Sequence, residues 1–74
     1  MNRLFSDAFN LLIERYNYSV NSGQTHELMA RRTLTHGLKD AVSLAYNCED
    51  IGSAMVLQSH LKLLKEQDVI PKPM

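Results

Sequence analysis

The sequence predicts a small all-α domain. Apolar residues recur at helical spacing in three stretches, Asn2–Tyr18, Thr25–Tyr46 and Asp50–Gln67. No stretch shows the strict apolar–polar alternation of a half-buried strand. Short polar segments separate the three, and their residues suit turns and helix caps. The expected architecture is a three-helix bundle, or a helical hairpin with the third helix splayed from it. Residues 1–70 make one helical domain and residues 71–74 a Pro-containing C-terminal tail.

In the first stretch, Leu4, Phe5, Ala8, Phe9, Leu11, Leu12, Ile13, Tyr16 and Tyr18 fall in one arc of a helical wheel. That arc spans roughly 220°, about twice the apolar stripe of an ordinary surface helix. One neighbour cannot cover it. Helix 1 is therefore wedged between two helices of its own chain, or shared with another chain. Asn21-Ser22-Gly23-Gln24 is a turn by composition, since Gly supplies positive φ and Asn and Ser bond nearby backbone. Thr25 is the expected N-cap of the next helix.

Helix 2 carries Ala30, Leu34, Leu38, Ala41, Val42 and Ala45 on one face. Gly37 costs a helix interior about 1 kcal/mol relative to Ala, so a break near His36-Gly37 is the alternative to one continuous helix. If it is continuous, Gly37, Ala41 and Ala45 form a small-residue ridge that admits a neighbouring helix closely. Asn47 or Asp50 caps the third helix, whose Ala54, Leu57, Leu61 and Leu64 make its core stripe. Phe5, Phe9, Leu12, Leu34, Leu38, Leu57, Leu61 and Leu64 are the expected core. Pro71 disfavours helix in the residue before it, so helix 3 ends by about Val69.

Seventy-four residues bury a limited core. Cys48 is the only cysteine, so no intrachain disulfide is available. Association is the remaining source of stability, and the expectation is a homo-oligomer, most simply a homodimer. Eight Lys/Arg balance eight Asp/Glu, which removes the basic excess that non-specific nucleic-acid binding uses. The apolar run from Leu4 to Ile13 is interrupted by Ser6, Asp7 and Asn10, unlike a signal peptide, and nothing approaches the apolar length of a membrane span. With a lone thiol, the expected compartment is the cytoplasm.

His26, His36 and His60 are not spaced as metal ligands, and neither a nucleophile elbow nor a phosphate loop occurs. No enzyme, metal or cofactor is expected. Two surfaces stand out instead. Glu27 and Arg31 continue the arc of Leu34 and Leu38, so the stripe of helix 2 turns polar over its first turns; they form an i, i+4 ion pair or a polar partner contact. Val56, Leu63 and Ile70 recur every seven residues, away from the core stripe of helix 3. That line is covered by helix 1 or helix 2 of its own chain, left exposed, or covered by a second chain, which could supply its Leu11, Tyr18 or Phe5. The function expected is that of a non-enzymatic regulator, inhibitor or adaptor acting through protein–protein contacts, with self-association.

The segment Ser53-Ala54-Met55-Val56-Leu57-Gln58-Ser59-His60-Leu61-Lys62-Leu63-Leu64-Lys65-Glu66 is similar to the recognition helix of ArsR-type winged-helix repressors. The similarity covers the His-Leu-Lys-x-Leu core of that helix and a short apolar start after it, Val69-Ile70. It implies a helix-turn-helix module with residues 53–67 as recognition helix, and Ser53, Gln58 and Ser59 reaching DNA. Met55 and Val56 stand where that family has small polar residues.

Overall fold

The structure is a computed structural model describing residues 1–74. Three helices follow in order: α1 Arg3–Asn21, α2 Glu27–Asn47 and α3 Ile51–Gln67, with no strand. Asn2 caps α1, its Oδ1 accepting from the Leu4 amide at 2.8 Å. The helix ends in a Schellman turn, with Gln24 N donating to Ser19 O and Gly23 N to Val20 O, and Gly23 at φ +73°. Thr25 is not the cap of α2. His26 takes that place, its Nδ1 accepting from the Leu28 amide at 3.2 Å.

Helix α2 runs unbroken through Gly37. A Cβ there would stand 2.5 Å from Leu12 Cδ2. The glycine thus admits α1 at a distance no other residue allows without a shift. Asp50 caps α3, its carboxylate accepting from both the amide and the hydroxyl of Ser53. Ser53 Oγ in turn accepts from Asn2 N at 3.0 Å, so one buried serine ties the starts of α1 and α3 together.

Helix α2 runs antiparallel to both neighbours. Its start meets the last turns of α1 through Tyr16 and Glu27, and Arg31 reaches Asp68, just past the end of α3. Phe5, Phe9 and Ile13 of α1, Leu34, Leu38, Ala41 and Ala45 of α2, and Ala54, Leu57 and Leu64 of α3 form the core. The Phe9 ring lies 4.8 Å from the His60 ring, tilted by 42°. Leu12 and Leu61, expected in the core, pack against its edge and are half-buried. The chain leaves α3 at Asp68 in left-handed backbone. It then folds back: Ile70 packs on the core and Pro71 is buried. Asn10 fastens the end, its Oδ1 accepting from Met74 N at 2.8 Å and its Nδ2 donating to Met74 O at 3.3 Å.

Candidate functional site

Glu27 and Arg31 lie at the junction of all three helices. Arg31 donates to Glu27 within α2 and, at 3.0 Å, to Asp68 Oδ1 beyond α3. Tyr16 of α1 donates its hydroxyl to Glu27 Oε1 at 3.2 Å. Burial raises the Tyr16 phenol above its ordinary value, and the bond to the Glu27 carboxylate adds to the shift. The same carboxylate raises the Arg31 guanidinium further, against a smaller opposing effect of burial. Arg31 Nε is buried without a partner. These charges link α1, α2 and the residue after α3, and Asp68 is the member that remains mostly open to solvent.

The seven-residue line of α3 is shorter than its spacing suggests. Val56 is half-buried and Leu63 is 40% exposed. Ile70 is a correction: α3 stops at Gln67, so Ile70 leaves the helix line and packs against the core. Pro71 turns the chain inward there.

An unpartnered apolar line at seven-residue spacing lies on α1. Leu4, Leu11 and Tyr18 are 63%, 57% and 63% exposed. Seven residues return to nearly the same side of a helix, so the three form one row. Leu11 is two residues from Phe9, about 160° around the helix the short way, so the row faces away from the core. Phe5, named with Leu11 and Tyr18 as possible cover, is instead in the core. The over-wide arc of helix 1 was the signal for this row, and Leu4 was hidden in it. Asp7 and Glu14 flank the row on one side, Ala8 and Arg15 on the other. Asp7 is 3.9 Å from Arg3, whereas Glu14 and Arg15 have no partner within the chain.

A cleft of about 160 Å³ lies between α1 and α2, lined by Leu12, Arg15, Tyr16, Thr25 and Thr33 among others. It is smaller than the ~300–1,000 Å³ of ordinary ligand sites, and the two larger hollows, of about 300 and 400 Å³, are open to solvent and lined mostly by polar and charged side chains. No three metal-ligating side chains converge. No helix is long and apolar enough to cross a membrane.

Of the residues that the winged-helix resemblance would send to DNA, Ser53 is buried and bonded to Asp50 and Asn2. Ser59 bonds back to Met55 O, and Gln58 accepts from the Tyr46 hydroxyl. The Tyr46–Gln58 and Arg31–Asp68 contacts also hold α2 and α3 side by side along their length. The ~90–120° opening of a helix-turn-helix would separate the second pair. No protein-family model matches the chain, and neither a curated protein nor a solved structure is detectably similar to it.

Proposed function

We propose that this protein acts through helix-face contacts with other protein surfaces, as a non-enzymatic regulator, inhibitor or adaptor, and that it associates with itself through the outer row of α1. The exposed row Leu4, Leu11 and Tyr18 carries this reading. Its side chains face away from the core and stay more than half exposed in the single chain.

The size of the row sets the strength of the contact. Fully burying one large apolar side chain is worth about 1.5–3 kcal/mol. Six such side chains in a pair, already partly covered, give on the order of 5–10 kcal/mol. Association costs about 4–15 kcal/mol. The result is a weak, reversible complex, suited to a protein that changes partners.

Sedimentation equilibrium tests this from about 10 µM to about 1 mM, the range such a complex occupies. Mass rising with concentration is expected. Leu11→Glu should abolish the rise while circular dichroism stays unchanged, since Leu11 lies outside the core. A constant mass of 8.4 kDa across the range overturns the self-association reading.

A further inference from the structure

We infer that the second copy docks on the outer row of α1 in parallel orientation, with Glu14 of each copy set against Arg15 of the other; this rests on the self-association proposed above. The row has Leu11 at its centre and Leu4 and Tyr18 seven residues to either side, so it matches itself in both orientations. Apolar contact therefore does not choose between them, and the flanking charges do.

In a parallel pair the two-fold axis runs along the helices. Each copy's acidic flank, Asp7 and Glu14, then faces the other copy's Ala8 and Arg15 flank. Glu14 and the second copy's Arg15 stand within about 1.5 Å of the same level along the axis, and Asp7 stands opposite Ala8. Two opposite-charge pairs result, from side chains that have no partner in the single chain.

In an antiparallel pair the two-fold is perpendicular to the helices, and like flanks meet. Asp7 then lies beside the second copy's Glu14 twice over, four carboxylates along one seam, while Arg15 faces Ala8. Like charges set against each other work as specificity elements at helix interfaces. Arg3 offsets Asp7 but is tied near the helix start, and it leaves Glu14 uncompensated.

Full-length protein reversed at one or both positions tests the orientation. In the parallel pair, Glu14→Arg and Arg15→Glu each weaken self-association about tenfold, through two altered charge pairs. The double reversal restores it to near the wild-type value. Both residues are exposed, so circular dichroism should not change. A Glu14→Arg protein that associates more tightly overturns the proposal, because the new guanidinium would then face Asp7 in an antiparallel pair. Indifference to all three changes overturns it as well, with self-association left standing. A wild-type protein that stays monomeric overturns the self-association reading itself.

A nitroxide on the native, exposed Cys48 gives an independent readout. Cys48 follows α2, at the end of the bundle where α1 begins. The parallel pair sets the two labels at the same end, separated on the scale of the 23 Å bundle width. The antiparallel pair, centred on Leu11, sets them at opposite ends, displaced by a further ~27 Å along the helix axis, and that longer distance would overturn the proposal.

Discussion

Gly23 and Glu49 occupy the same position in two helix terminations of the same design. After α1, the amides of Gly23 and Gln24 return to Val20 O and Ser19 O; after α2, those of Glu49 and Asp50 return to Tyr46 O and Ala45 O. Both central residues are left-handed, at φ +73° and +59°. Glycine takes this conformation freely, whereas a side chain costs about 1–2 kcal/mol. Glu49→Gly should therefore stabilise the fold by about 0.5–1 kcal/mol, the added freedom of the unfolded chain offsetting part of the gain. Gly23→Ala should destabilise it by about 1 kcal/mol. Urea midpoints measure both. A loss of stability on Glu49→Gly would show that its side chain contributes more than its strain costs.

The close approach at Gly37 predicts a change of sign. Alanine in a helix interior gains about 1 kcal/mol over glycine, but here its methyl meets Leu12 Cδ2. Repacking to accept extra volume costs about 1–3 kcal/mol. Gly37→Ala should be neutral to destabilising in the wild type, and stabilising by up to ~1 kcal/mol once Leu12 is Ala. A double-mutant cycle with coupling below ~0.5 kcal/mol would mean that the two sites act independently.

These two positions mark what could be read from sequence. Helix spacing, the Gly23 turn and the Asp50 cap are local, and each appears in the chain as a short pattern. The long-range features do not. His26 takes the cap in place of Thr25, its Nδ1 accepting from the Leu28 amide, a role that the usual preference for Ser, Thr, Asp and Asn at helix starts does not announce. Leu61 fits the core stripe of α3 but lies at its margin, because burial depends on where α1 and α2 stand. Asn10 and Met74 are 64 residues apart, and nothing local announces their pairing. The outer row of α1 was legible only as an arc too wide for one neighbour; which part of the arc stays bare depended on the packing.

Acid should release the start of α3. Hydrogen bonds from the hydroxyl and the amide of Ser53 hold the Asp50 carboxyl below its ordinary value. A carboxyl lowered in the folded state contributes stability above its unfolded pKa and loses it as pH falls through the folded value. The stabilisation by Asp50 is thus complete near neutrality and is lost below pH 3.8, the ordinary value, as the carboxyl titrates in the folded state. Tyr16 behaves in the opposite sense: its raised phenol contributes below its unfolded value and loses that contribution as alkali takes the pH through the folded one. Thermal melts of the wild type and Asp50→Asn should differ at pH 6 and converge in strong acid. Curves that run parallel down to pH 2 would show that ionisation of Asp50 does not matter.

The tail should behave as part of the domain. Pro71 is buried and Ile70 packs on the core, although a segment with two prolines reads as a loose end. Asn10 is its only side-chain anchor, bonding both the amide and the carbonyl of Met74. Net hydrogen-bond contributions are about 0.5–1.5 kcal/mol each, and these two are exposed, so the lower end applies. Asn10→Ala should therefore cost about 1 kcal/mol at most and act mainly at the tip. Amide exchange of Met74 should speed up while the amides of α1 keep their protection, because the Ile70–Pro71 contact remains. Pro71→Gly should act further in, removing the buried ring and freeing the backbone, and should lower the melting temperature more than Asn10→Ala. If Met74 exchanges as fast in the wild type as in Asn10→Ala, the paired bonds do not hold the tail. The Ile70–Pro71 contact alone would then bind it to the bundle.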